Sequence, residues 1–481
     1  MLSTMCVIML TYKLIFMKTE QQKKRQSLKI IVSEACMVLG VVITVAILAM
    51  MVSGYWVNSD FEVERQGMLQ ISSTPTGANI NIDGTDSSWL ERTNMSKVIS
   101  SGEHTITLSK DGYDTWSKTV NVEKGLLYRL HYPRLFLQDR TKEAIVDVSN
   151  TTFAVMSSDH NSLLLANNTT NWQYIKLKSS TITPKTLEIS KYFTGVNSDN
   201  SISSFTGKII GADWDYDANH VLFKVENSNG IEWVLLDIND VAKSINLTKE
   251  FNSKFSEVKI LDDSSSILLA VKDGGLHKIN LSDRSISAVI AENVLSFDHY
   301  RNEVVFSAQN SDGYYLGYFK LGDGEITELS QTSTPAQVVI SKFYDEKYIT
   351  ALTDNIIAVY QAKDFTEFAR YETTFAPQNI KVGHDGEFIT LSSGNRIATL
   401  DMEGKLIREW QADGTDFDWV DNDMIYSINE GTLIVYDYDG LNRRTLAKNV
   451  SDYLPVGITD NKWLYYFSDN SLMRESLTES N

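Results

Sequence analysis

An all-β ectodomain behind a single N-terminal transmembrane helix is the fold class that three observations predict. The first is a charge-free stretch of about 22 residues, Ala35 to Trp56. At about 1.5 Å per residue a helix of that length spans about 33 Å, close to the hydrocarbon thickness of a bilayer. The second is the pattern after it. Val, Ile, Leu, Tyr, Phe and Thr alternate with polar residues in runs of about four to seven, bounded by Asp, Asn, Gly and Ser, which signals many short strands. The third is an internal repeat beyond residue 138. Its period is near 40 residues with about four strands per unit, the signature of propeller blades. The expected ectodomain is a small β-sandwich plus a seven- or eight-bladed β-propeller.

Taken in order, residues 1–34 read as a cytoplasmic leader and 35–57 as the transmembrane helix. Lys23, Lys24, Arg25 and Lys29 precede the span, and Tyr55 and Trp56 close its far end, where amphipathic rings favour the headgroup region. The positive-inside rule keeps the N-terminus in the cytoplasm and carries everything after Trp56 across the membrane. A cleaved signal peptide is disfavoured, because the run exceeds a usual apolar region of about 7–15 residues and Val52-Ser53-Gly54 is a weak cleavage site. Met17, followed by Lys18, Thr19 and Glu20, reads as the initiator, with residues 1–16 a start-site artefact. The alternative is a short hydrophobic extension at the membrane face.

Charge narrows the partners. The chain has 481 residues and a formal net charge of −18. Residues 1–57 hold six Lys or Arg and two Glu, so the remainder carries −22. So acidic a surface repels nucleic-acid phosphate, and no nucleic-acid partner is expected. Its plain use is solubility, its sharper use the attraction of cations or basic partners. The two cysteines, Cys6 and Cys36, lie in the leader and the span. The exported part therefore has no disulfide, thiolate zinc site or cysteine nucleophile. Export without disulfides behind a simple signal-anchor suggests a bacterium.

Residues 66–137 form the first exported module. Met68 to Ser72 alternates as a strand, Thr74-Pro75-Thr76-Gly77 turns, and Ala78 to Ile82 returns to a tight Asp83-Gly84 turn. His104 to Leu108, Trp116 to Val122 and Leu126 to Leu130 follow, giving about five strands in a small β-sandwich or barrel. These residues resemble the PEGA domain: Gly67, then Pro75, Gly77 and Ala78 in the motif that names it, then Asp83-Gly84, Gly102, His104 and Gly112-Tyr113. Thr76 stands where the name has Glu, and a longer polar stretch, Thr85 to Ser101, replaces the usual Gly-x-Thr-Pro step. The resemblance implies an extracytoplasmic binding or spacer module without catalysis.

Residues 138–481 carry the repeat. Its clearest copy runs from Ala212 through Asp213-Trp214-Asp215-Tyr216-Asp217 to Phe223, followed by Trp233 to Asp237. Other Asp- and Asn-rich turns lead into apolar strands at Asp159-His160, Asp262-Asp263, Asp298-His299, Tyr344-Asp345, His384-Asp385-Gly386, Asp421-Asn422-Asp423 and Asp460-Asn461. Lys191 to Lys208 reads as an insertion that lengthens the first gap. The degenerate Trp-x-x-Asp-Gly-x-apolar pattern resembles the repeat of TolB-like and WD40-like propellers, although only Gly386 supplies the turn glycine. The last copy, Tyr453 to Leu477, is one strand short, and a segment around Tyr132 to Gln138 is expected to complete it, since an open ring would expose strand edges.

Chemistry-bearing motifs are sparse. Asp213, Asp215, Asp217 and Asn219 place oxygen ligands at alternate positions, a spacing used in calcium loops. The sharp-turn glycine and the twelfth-position glutamate are missing, so a solvated blade turn is the plainer reading and no cofactor is expected beyond this calcium candidate. None of the seven histidines pairs with another at metal-ligand spacing. There is no Gly-x-Ser-x-Gly elbow, Walker loop, dinucleotide fingerprint or His-Glu-x-x-His. Eight ectodomain tryptophans — Trp89, Trp116, Trp172, Trp214, Trp233, Trp410, Trp419 and Trp463 — read mostly as packing residues, with stacking on sugars the alternative.

The expected function is non-catalytic: a cell-envelope protein, membrane-anchored through residues 35–57, that binds protein or cell-wall polysaccharide through its propeller. A propeller enzyme acting on glycans and a structural envelope spacer are the alternatives.

Overall fold

The computed structural model describes residues 32–50, 55–57, 63–87, 91–179, 181–194, 196–199, 202–261, 264–383, 386–402, 405–452 and 454–479. The leader up to residue 31, Trp89, Asp262-Asp263, His384-Asp385 and Tyr453 lie outside the described residues.

Val32–Met50 is a helix long and apolar enough to cross a membrane, as a span or as a signal sequence. It begins three residues before the expected span. Tyr55–Val57, expected at its end, is instead a strand paired antiparallel with Val63–Arg65. Gly54 precedes it, and Tyr-Trp-Val is a run of strong strand formers that are poor helix formers.

The chain divides into two compact units, the first ending at Leu135 and the second comprising Gly112–Asp114 and Phe136–Asn481. In the first unit two sheets face one core. One contains Thr85–Asp86, Asn79–Ile82, Gly102–Ser109 and Trp116–Val122, and the other Met95–Ile99, Gly67–Ile71 and Leu127–Leu130. Strict alternation places Trp116, Lys118, Val120 and Val122 on the inner face of one strand. Leu69, Ile71, Ile106 and Leu108 meet them in the core. Asp83 and Gly84 both have positive φ, as a two-residue hairpin turn requires. The polar stretch Thr85 to Ser101 hides a strand, Met95–Ile99, which pairs with Gly67–Ile71. Its half-buried Lys97 shares the inner face with Ile99 while Val98 faces solvent, which masks the alternation.

The second unit contains, among the described residues, eight four-stranded antiparallel sheets. We number them by chain order of their innermost strands: Thr151–Met156, Lys208–Trp214, Glu257–Leu261, Val294–Tyr300, Gln337–Phe343, Asn379–Val382, Asp416–Trp419 and Gly457–Thr459. Each packs on the next. Leu164 and Trp172 meet Phe223 between sheets 1 and 2, Leu222 meets Val258 between 2 and 3, and Leu269 meets Phe297 between 3 and 4. Val305 meets Ile349 between sheets 4 and 5, Tyr348 meets Ile389 between 5 and 6, and Phe388 stacks on Tyr438 between 6 and 7. Tyr426 meets Leu464 between 7 and 8, and Tyr465 and Phe467 of sheet 8 pack with Leu163 and Leu165 of sheet 1. The sheets therefore close a ring, a propeller-like fold.

The strand that completes sheet 8 is Lys142–Asp147, paired with Ser471–Ser476, and not the segment around Tyr132 to Gln138. As an outer edge strand it is mostly exposed, so its Lys and Glu lack the apolar alternation that marks a buried strand. The insertion is a hairpin, Val196–Asp199 with Ile202–Phe205, outside the eight sheets. Phe193, just before it, and Phe205, its last residue, pack on Trp172 at 5.2 and 5.3 Å in tilted and edge-on contacts.

The turns that end the innermost strands explain the repeated acids. Asp215 Oδ1 accepts the N–H groups of Asn219 and His220 across a turn in which Ala218 has positive φ. Asp421 Oδ1 accepts those of Asp423 and Met424. Short acids recur there because an Asp side chain satisfies backbone donors that a tight turn leaves unpaired.

Candidate functional site

The innermost strands and the turns that end them enclose a cavity of about 840 Å³ within the second unit. Sheet 1 contributes Met156 and His160, sheet 2 Asp213, and sheet 4 Asp298 and Tyr300. Sheets 5, 6 and 7 contribute Ser341 and Lys342, Lys381 and Gly386, and Asp418 and Asp421. Polar side chains reach the lining beside apolar ones such as Val155, Ile340 and Val382, and they do so because the period of a strand is two. Val258 and Ile260 are buried between sheets, while Glu257 and Lys259 point the other way, toward the axis.

Charged pairs stand on both sides of the cavity. Lys259 Nζ lies 2.9 Å from Asp298 Oδ1, linking sheets 3 and 4. Asp298 Oδ2 accepts the N–H of Ile340 at 2.9 Å, which caps the inner edge of sheet 5. Burial works to lower Lys259. The Asp298 charge and hydrogen bond, with Glu257 and Asp213 adding, outweigh it and hold the ammonium above the ordinary lysine value. Burial raises Glu257, against the attraction of Lys259 and Lys224. Burial also raises Asp213, opposed by Lys259 and reinforced by Asp298. Asp213 is ringed by protein yet its side chain is open to the channel. Across the cavity Lys381 pairs with Asp418 at 2.6 Å, joining sheets 6 and 7.

The four residues of the calcium candidate part company here. Asp213 faces the channel, whereas Asp215 holds its turn and lies 2.7 Å from His220 Nδ1. Asp217 is exposed, and Asn219 Oδ1 accepts a hydrogen bond from Asn239 at 2.8 Å. Among the described residues, the three carboxylates do not come close enough to share one ion. Trp116, Trp172, Trp233 and Trp410 are buried, so they are packing residues rather than a sugar platform, whereas Trp419, also largely buried, lines the cavity.

Glu257, Lys259, Asp298, Ser341, Lys381 and Asp418 escaped the sequence reading. Asp298 stands within an innermost strand rather than in the turn that its Asp-His pair predicts, and the turn follows at Arg301, whose φ is 54°. Lys259, Lys381 and Asp418 share a signal, a charge set between two apolar residues of an innermost strand, as in Val258-Lys259-Ile260.

Residues 66–134 match the PEGA domain. No curated protein matches the chain. Among solved structures, the chain is similar to Kluyveromyces lactis Hsv2 with a complete loop 6CD, at 7% identity and a TM-score of 0.44, covering 62% of this chain and 98% of that one. It is also similar to Kluyveromyces marxianus Hsv2, at 9% identity and a TM-score of 0.42, covering 60% of this chain and 92% of that one. The propeller-like description rests on the ring of sheets itself.

Proposed function

We propose that the chain is a single-pass membrane protein of a bacterial cell envelope, with its N-terminus in the cytoplasm. Its PEGA module and eight-bladed propeller bind an envelope protein or cell-wall glycan outside the membrane without catalysis. The observation that carries this is the channel cavity. Six of the eight sheets line it with charged and polar side chains, at a size within the roughly 300–1,000 Å³ usual for binding pockets. The apolar helix Val32–Met50 supplies the anchor, and the matched PEGA domain supports a binding or spacing role.

The test is saturable capture by the full chain, in detergent, from envelope fractions and on purified peptidoglycan. Lys381→Trp and Asp213→Arg, each checked for folding by circular dichroism, obstruct the channel from opposite sides. Capture lost in both supports the reading, and the material captured separates protein from glycan. Capture unchanged in both overturns the channel as the site. Neither capture nor turnover assigns the chain to a structural spacer.

One observation favours an enzyme as the second reading. Asp213 and Glu257 are carboxylates raised by burial beside Lys259, a setting suited to general acid–base work on a glycan. Turnover of a glycan panel that Asp213→Asn abolishes would establish it.

A further inference from the structure

We infer that the channel receives the ammonium or guanidinium group of a lysine or arginine side chain on a partner's polypeptide segment, with Asp213 as its counter-ion and Ser341 as a hydrogen-bond acceptor. This deepens the reading of the channel as a binding site and rests on it. Four independent features point the same way.

The first is Asp213. Among the described residues its carboxylate accepts no hydrogen bond, although it is open to the cavity. The second is Ser341. Ser341 lines the same cavity, is 5% exposed, and among the described residues its buried Oγ has no hydrogen-bond partner. A buried hydroxyl left unpaired costs about 1–3 kcal/mol, so a ligand that pairs with it recovers that cost. The two groups supply what an ammonium needs, a negative charge and a neutral acceptor.

The third is Lys259. The channel already holds one alkylammonium, tied to Asp298 and drawn also toward Glu257 and Asp213. This ammonium offsets part of the Asp213 charge, so a second cation is drawn by the acids that remain in excess. Among the groups that line the cavity, the acids Asp213, Asp298, Asp418 and Asp421 face the lysines Lys342 and Lys381. The excess is negative, in keeping with the −22 of the chain beyond residue 57. Acid clefts steer cationic partners toward them.

The fourth is the rim. Tyr216 and Tyr344 stand on the turns that end the innermost strands of sheets 2 and 5, at 79% and 69% exposure. These turns follow Asp213 and Lys342, which line the cavity. Exposed aromatic faces beside a cation path stabilise an arriving lysine or arginine. The cavity is far larger than one ammonium group, which favours a side chain carried on a peptide over an inorganic ion.

The experiment uses the full chain in detergent micelles and measures fluorescence anisotropy of a labelled five-residue peptide with one central lysine. The arginine and norleucine counterparts are measured beside it, and spermidine competes. The lysine and arginine peptides are expected to bind saturably, the norleucine peptide at least about tenfold more weakly, and rising salt to weaken binding. Asp213→Asn, nearly isosteric, is expected to weaken the lysine peptide about tenfold, and Ser341→Ala about threefold, with the circular dichroism of both unchanged. Equal binding of the norleucine peptide, or no effect of Asp213→Asn, overturns the inference. Spermidine binding as tightly as the peptide assigns the channel to polyamines instead and overturns the peptide source. If the peptides fail while channel-dependent capture of an envelope glycan or protein persists, this inference falls and the binding reading stands. If both fail, the binding reading falls as well.

Discussion

Arg140 and Glu475 stand 335 residues apart in the chain, yet Arg140 Nε lies 2.5 Å from Glu475 Oε1 where the ring of sheets closes. Both side chains are largely buried, at 14% and 6% exposure. Glu475 Oε2 also accepts the Tyr466 hydroxyl at 2.9 Å, and Arg140 Nη2 donates to the Leu446 carbonyl at 2.8 Å. The strand Lys142–Asp147 joins sheet 8 just beyond this contact.

Removing one partner leaves a buried charge unpaired. Arg140→Ala is expected to destabilise the second unit by about 3 kcal/mol, read by denaturant unfolding. The double variant Arg140→Met/Glu475→Leu should cost less than the sum of the single changes, because it removes both charges together. An additive double variant would show that the two groups do not act as a pair.

The Asp215–His220 contact sets a pH window. Burial pulls Asp215 up, but hydrogen bonds from the His220 ring and from the His220 and Asn219 N–H groups outweigh it and leave the carboxyl lowered. The Asp215 hydrogen bond raises His220 above 6.5 against its burial, with the charges of Asp215 and Asp237 adding. A raised histidine contributes stability that is fully present below its unfolded value and lost as pH rises through the folded one. A lowered carboxylate contributes stability present above its unfolded value of 3.8 and lost as pH falls through the folded one. The pair is therefore strongest between those two unfolded values. The difference in melting temperature between the native chain and His220→Gln should be largest there and shrink as pH rises past the raised histidine. A difference that does not change with pH would contradict the coupling.

Gly386 has φ +78°, and a Cβ there would overlap the Lys342 carbonyl oxygen on the neighbouring sheet. Gly394 has φ +57° but open space around it. Gly394→Ala should cost about 1 kcal/mol of backbone strain, and Gly386→Ala clearly more, because sheets 5 and 6 must move apart. Equal costs in paired unfolding measurements would show that the close approach has no energetic weight.

Trp172 is fully buried against Phe193, Phe205 and Phe223. Trp172→Ala is expected to cost about 3–5 kcal/mol through the cavity it opens. The hairpin anchored through Phe193 and Phe205 should also become more open to limited proteolysis than the rest of the second unit. Uniform sensitivity would mean that the hairpin does not depend on this packing.

The architecture was largely legible because backbone requirements write themselves into the chain. The Asp and Asn turns marked the ends of the innermost strands, and Asp83-Gly84 marked a hairpin, since few residues accept those conformations. The closing strand was misplaced for a physical reason: Lys142–Asp147 lies on an outer edge in solvent, where no apolar alternation is needed. The site was harder to read. Asp213, Lys259, Asp298 and Lys381 come from four different sheets, and only ring closure brings them to one axis. Ser341 carries no signal at all, since a serine in a strand becomes informative only when its hydroxyl is seen buried without a partner.

Partners are expected to engage the channel at the end where the innermost strands turn. Hydrogen–deuterium exchange on the full chain, with and without the envelope component it captures at saturation, tests this most directly. Protection confined to residues 155–160, 213–219, 340–346, 381–386 and 418–421 is the predicted result. Protection confined to the outer strands around 367–372 and 444–448, or to residues 67–130, would contradict it.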